Sequence, residues 1–161
     1  MRLLLPIVVA ISIAVLPGCD RHKEGNNYSH VDSDDAAMNA AIARARETSG
    51  NFLQAFREQK PGFNSFHVKK PYPTPSGGRE HMWIEVQEEN DGVLKGIVVN
   101  DAEETHEVKI GQAVTLNISE ITDWKYLDGK KLVGGYTIRY FIDRLPPTER
   151  EGFMKEAGFE L

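Results

Sequence analysis

One cysteine, Cys19, stands in 161 residues, and its position constrains the fold more than any other feature. It leaves the rest of the chain without an internal disulfide or a cysteine-based zinc site, so whatever folds there is held by burial of apolar side chains. It also marks a boundary. Before it, Leu3 to Leu16 is apolar or small apart from Pro6 and Ser12, with positively charged Met1-Arg2 ahead and small Gly18 behind. That is the pattern of a secretory signal peptide. Fourteen residues fall short of the roughly 20 that a membrane-spanning helix needs.

Leu16-Pro17-Gly18-Cys19 resembles a bacterial lipobox, which implies that the Cys19 thiol carries a diacylglyceryl group and that residues 1–18 are removed. Acyl chains at about 0.8 kcal/mol per buried CH2 would hold a domain on a bilayer. Asp20 resembles the inner-membrane retention signal of enterobacterial lipoproteins, so the expected place is the bacterial cell envelope, facing the periplasm. Residues 19–33 read as lipidated cysteine and flexible tether, since Asp20 to Ser33 is almost devoid of apolar side chains. Only Arg2 leaves with the signal. The remaining 143 residues carry 18 Lys and Arg against 24 Asp and Glu, an acidic balance that argues against a nucleic-acid partner and a polybasic membrane grip.

Residues 34–161 suffice for a single domain with a real core. A helix is expected from near Ser33, capped by Asp32 or Ser33, because Met38, Ile42, Ala45, Phe52 and Phe56 follow a helical stripe. Thr48-Ser49-Gly50-Asn51 breaks it, with Ser49 capping a second helix that stops before Lys60-Pro61-Gly62.

The period then changes. Phe66 and Val68 alternate with His67 and Lys69, and Met82, Ile84 and Val86 alternate with His81, Trp83 and Glu85. Between them Pro71 to Gly78 reads as a loop too rich in proline for an inner strand. Asn90-Asp91-Gly92 signals a hairpin with Val93 to Val99 returning. Thr105 to Val108, Ala113 to Ile118 and Ile121 to Leu127 read as further short strands. The expectation is an α+β fold: an N-terminal helical segment, a curled antiparallel sheet of five or six short strands, and C-terminal helices. In Leu132 to Leu145 two periods compete, and the bracketing Gly134-Gly135 and Pro146-Pro147 favour helix. A last helix starts at Pro147 and stops at Gly158.

Four stretches in order, Ala43-Arg44-Ala45-Arg46-Glu47-Thr48, Glu80-His81-Met82-Trp83-Ile84-Glu85, Ile121-Thr122-Asp123-Trp124-Lys125-Tyr126 and Gly134-Gly135-Tyr136-Thr137-Ile138-Arg139, resemble the YegJ-like family of uncharacterised bacterial proteins. The resemblance spans about Asp34 to Phe159 and implies the domain boundary, not an activity. Ser49-Gly50 departs from it, where the family often has an apolar residue and Pro.

Chemistry has few candidates. His81 and Glu85 lie four apart, about 13 Å along a strand, too far to share a metal whose ligands sit at about 2 Å, so no metal site and no cofactor are expected. No nucleophile elbow, phosphate loop or dinucleotide fingerprint occurs. The more promising feature is Trp83 between His81 and Glu85, with Trp124, Tyr136 and Arg139 as candidate neighbours in a binding patch. The plain alternative makes both tryptophans core residues and pairs Arg139 with Glu85 or Asp123. The expected function is a lipid-anchored, non-catalytic module with an envelope protein as partner; the alternative is a small hydrolase using His81 with a nearby carboxylate.

Overall fold

The computed structural model of the protein describes residues 35–161. The signal segment, Cys19, Asp20 and the tether lie outside the described residues. Two helices open the described chain: α1 (Ala36–Glu47) and α2 (Ser49–Glu58). The cap of α1 is Asp35 rather than Asp32 or Ser33; its Oδ1 accepts from Met38 N–H at 2.8 Å. Ser49 does not cap α2 but is its first helical residue, its hydroxyl donating back to Arg46 O.

Six strands follow: β1 (Phe63–Pro73), β2 (Arg79–Asn90), β3 (Val93–Val98), β4 (Ala113–Asn117), β5 (Asp123–Asp128) and β6 (Lys131–Gly134). They form an open antiparallel sheet in the order β4-β3-β2-β1-β5-β6. Helices α3 (Tyr136–Arg144) and α4 (Pro147–Ala157) end the chain, which makes the fold α+β.

Two strand expectations give way. Strand β1 is long and inner, and it runs through Pro71 and Pro73. Lys69 O accepts from Thr122 N–H on the β5 flank at 2.8 Å, so Lys69, Pro71 and Pro73 present their backbone edge to that side. Pairing with β5 ends at Lys69 opposite Asp123. The prolines therefore occupy the stretch where this flank has become an edge, and their missing N–H groups cost no ladder bond. Conversely, Thr105 to Val108 forms no strand. The Glu80 carboxylate takes the N–H groups of Glu103, Glu104 and Thr105 at 2.8, 3.0 and 2.8 Å, and Thr105 Oγ1 donates to Pro73 O. Within the stretch, the Thr105 N–H goes to Glu80 and the Glu107 N–H to Thr105 Oγ1, so side chains hold donors that a ladder would have used.

One sheet face builds the main core. Phe66, Val68, Met82, Ile84, Val86, Leu94, Val98, Leu116, Trp124 and Tyr126 are buried there with Ala45, Phe52 and Ala55 of α1 and α2. A register shift between Val86 and Glu88 flips the parity of β2, bringing Glu89 rather than Glu88 round to the α2 side. There Arg57 meets Glu89 with two hydrogen bonds of 2.7 Å. On the opposite face, a smaller cluster of Leu132, Ile142 and Phe159 packs with Leu127, Ile138, Phe153 and Met154, covering the β5–β6 end beneath α3 and α4.

The glycine pair before α3 is there for packing. A Cβ on Gly134 would lie 2.4 Å from Trp124 O and 2.5 Å from its ring, and Gly134 and Gly135 hold φ of +73° and +64°.

Candidate functional site

The second sheet face, left between the small cluster and the β4 edge, carries the candidate site. Cross-strand register places Pro71 opposite His81, Lys69 opposite Trp83 and His67 opposite Glu85, while on the other flank of β1 Lys69 faces Asp123 and His67 faces Lys125. His67, Lys69, His81, Trp83, Glu85, Asp123 and Lys125 thus share one face. His67, Lys69, His81, Trp83 and Lys125 are partly exposed, Glu85 is open, and Asp123 is fully buried.

Trp83 lies against two cations. Lys69 Nζ is 5.0 Å and Lys125 Nζ 5.3 Å from its ring centroid, within the range of cation–π attraction.

Asp123 is the buried carboxyl of this region, and its oxygens are taken up largely by the backbone. Oδ1 accepts from Trp124 N–H at 2.8 Å and Tyr136 N–H at 3.1 Å; Oδ2 accepts from Thr137 N–H at 2.8 Å and Thr137 Oγ1 at 2.6 Å. Strand β5 thereby supplies the carboxylate that satisfies the first two N–H groups of α3, whose own cap residue, Gly135, has no side chain to do so. Burial pushes the Asp123 carboxyl up, and the Thr137 bonds together with the Lys69 charge pull it back. Thr137 Oγ1 also accepts from Lys69 Nζ at 3.2 Å, so the hydrogen-bonded link from lysine to aspartate runs through the threonine.

Burial draws both lysines below the usual lysine range, with the Asp123 charge opposing it in each. His81 Nδ1 shares a 2.9 Å hydrogen bond with Thr122 Oγ1. Burial, reinforced by Lys69, Arg79 and Arg46, pushes its imidazole down to about 4, leaving it neutral near pH 7 and facing a hydroxyl.

Of the six residues proposed from sequence, His81, Trp83 and Glu85 come together here. The other three are placed elsewhere. Trp124 is 2 % exposed on the main-core face, its Nε1 donating to Ala45 O at 2.9 Å. Tyr136 packs edge-on against Trp124 and its hydroxyl accepts from Thr48 Oγ1. Arg139 donates to Gly134 O and Leu132 O at 2.9 and 2.7 Å, tying α3 to β6 through main-chain carbonyls rather than to Glu85 or Asp123. Lys69, Lys125 and Thr137 were not singled out from sequence. The signal for the lysines was present in the alternations His67/Lys69 and Trp124-Lys125-Tyr126; Thr137 could be found only once α3 was placed.

A family model described as an uncharacterised protein conserved in bacteria, DUF2314, matches residues 35–161. The chain belongs to this family. It is 32% identical over 118 residues to uncharacterised protein YegJ of Escherichia coli K12, covering 73% of this chain and 75% of that protein, in line with the resemblance read from the four sequence stretches. It is also 27% identical over 128 residues to a putative ankyrin repeat protein of Neisseria meningitidis serogroup B, where the match takes in 75% of this chain and 51% of the relative. No solved structure matches the chain.

Proposed function

We propose that this is a lipid-anchored protein of the bacterial cell envelope whose folded part is a non-catalytic binding module, working through the face that carries Trp83. The observation behind the binding reading is Trp83 itself. It is a large, partly exposed aromatic on a sheet face that α1 and α2 leave open, steadied by two lysines. A tryptophan ordered before the partner arrives loses little entropy on binding, and such side chains concentrate interface energy. What supports the anchor is Leu16-Pro17-Gly18-Cys19 after an apolar stretch, with a polar segment to Ser33 as spacer and Asp20 favouring the inner membrane.

In-cell crosslinking of the anchored chain, beside Cys19→Ser and Trp83→Ala forms, tests both parts. Labelled palmitate should enter the natural chain and not Cys19→Ser; equal labelling removes the anchor. A partner recovered near one-to-one should vanish with Trp83→Ala, while that variant keeps its unfolding free energy in urea to within about 1 kcal/mol. Trp124→Ala, in the core, should by contrast lose about 3 kcal/mol or more. If Trp83→Ala unfolds the chain, or leaves capture unchanged, the binding reading is wrong.

A further inference from the structure

The lysines of this protein that carry ion pairs find carboxylates in the ordinary way: Lys60 with Glu58, Lys70 with Glu120, Lys95 with Glu88, at 2.8, 2.6 and 2.7 Å. Lys69 and Lys125, both partly buried, do not, and neither, among the described residues, do Lys109, Lys130, Lys131 and Lys155, which are all exposed to solvent. Among the described residues neither Lys69 nor Lys125 has a carboxylate within ion-pair distance, although Asp123 stands directly across from Lys69 in register. Each oxygen of Asp123 is already taken by two donors from Trp124 and the first residues of α3. Lys69 spends one donor on Thr137 Oγ1. Lys125 has no hydrogen-bond partner among the described residues and rests against Trp83.

Two partly buried ammonium groups thus converge on one ring with most of their donors unspent. Partly buried cations are costly unless paired. Arg46 and Arg79 add to the positive field at His81 next door; of the acids on this face outside the Asp123 network, Glu88 is paired with Lys95 and Glu85, opposite His67, is exposed. In a chain of net charge −5, this is a local reversal of sign, the arrangement that draws in an anion.

We infer that Lys69, Lys125 and Trp83 form a binding site for an oxyanion, carboxylate or phosphate, on a ligand whose adjoining flat or apolar part covers the indole. This rests on the reading that the Trp83 face binds. The lysines supply charge-assisted hydrogen bonds, Trp83 supplies the apolar floor that holds both ammonium groups in place, and the Thr137–Asp123 pair keeps Lys69 oriented.

The test is titration of the full chain with sodium phosphate and, separately, sodium acetate, following the two indole N–H signals by NMR against sodium chloride at matched ionic strength. The Trp83 signal should shift saturably while that of Trp124, bonded to Ala45 O on the other face, stays still and reports the fold. In Lys125→Gln the apparent affinity should fall about tenfold or more, the loss expected for one charge-assisted bond. The stronger of the two arms identifies the headgroup. A Trp83 shift no different from chloride, or an affinity unchanged in Lys125→Gln, overturns the site. A silent titration with Trp83-dependent crosslinking intact would sink this inference and spare the binding-module reading; a saturable, Lys125-dependent shift without Trp83-dependent capture would keep the anion site and remove the protein partner.

Discussion

Replacing Asp123 should show how much of the α3 end depends on one carboxylate. The side chain is 0% exposed and accepts from three backbone N–H groups and one hydroxyl. In Asp123→Ala the Trp124 and Thr137 amides are left in a buried setting and the Tyr136 amide in a half-buried one. An unsatisfied buried donor costs about 1–3 kcal/mol, so at about 2 kcal/mol each two full penalties and one partial give about 5 kcal/mol. Asp123→Asn keeps one oxygen, enough for the Trp124 and Tyr136 amides. Its NH2 group then faces the Thr137 N–H, donor against donor, while the Thr137 hydroxyl can turn to accept. One lost backbone bond corresponds to about 2 kcal/mol. Urea unfolding measured by Trp124 fluorescence reads both: with a slope of about 1–3 kcal/mol per molar, the Ala variant should shift the midpoint by more than twice as much as Asn, at unchanged slope. A loss below about 1 kcal/mol for Asp123→Ala would refute the reasoning. Equal losses for Ala and Asn would show that the charge, not the number of accepted bonds, is what stabilises.

His81 gives a pH dependence of definite sign. Its folded-state pKa is lowered from 6.5 to about 4, so between those values the unfolded chain binds a proton that the folded chain refuses. The stability it contributes is complete above pH 6.5 and is lost as the pH falls toward 4, by about 2 kcal/mol for this partly exposed ring. Urea midpoints across that range should fall more steeply for the natural chain than for His81→Gln; identical slopes, or a ring titrating near its ordinary value by NMR, would contradict the burial argument. Gly134→Ala places a Cβ 2.4 Å from Trp124 O at a φ of +73° and should cost about 3 kcal/mol or more, whereas Gly50→Ala, with nothing within 4 Å in the exposed start of α2, should raise stability by about 0.5–1 kcal/mol. Thermal melts that rank these two the other way round would reject both readings.

Much of the element pattern was legible along the chain because it depends on near neighbours. The stripe from Met38 to Phe56, the alternation from Met82 to Val86, the Asn90-Asp91-Gly92 turn and the Pro147 start of α4 each form where local period and turn chemistry place them. Local reading failed where a distant partner intervened. Pro71 and Pro73 sit in an inner strand because β5 stops short of them, and Thr105 to Val108 is not a strand where the Glu80 carboxylate, some 25 positions earlier in sequence, holds its first N–H and Thr105 Oγ1 takes that of Glu107.

The site divides the same way. Sequence by itself determined that Trp83 and Trp124 each lie on a strand with alternating neighbours, and that the chain is a member of its bacterial family. A period of two assigns a residue to one side of a strand; it does not say which side helices will cover. Only the tertiary structure decided that, through β1. Lys69 pairs with Trp83 and its neighbour Val68 pairs with Trp124, so the two tryptophans fall on opposite faces. Helices α1 and α2 bury one of them, and two lysines without carboxylate partners flank the other.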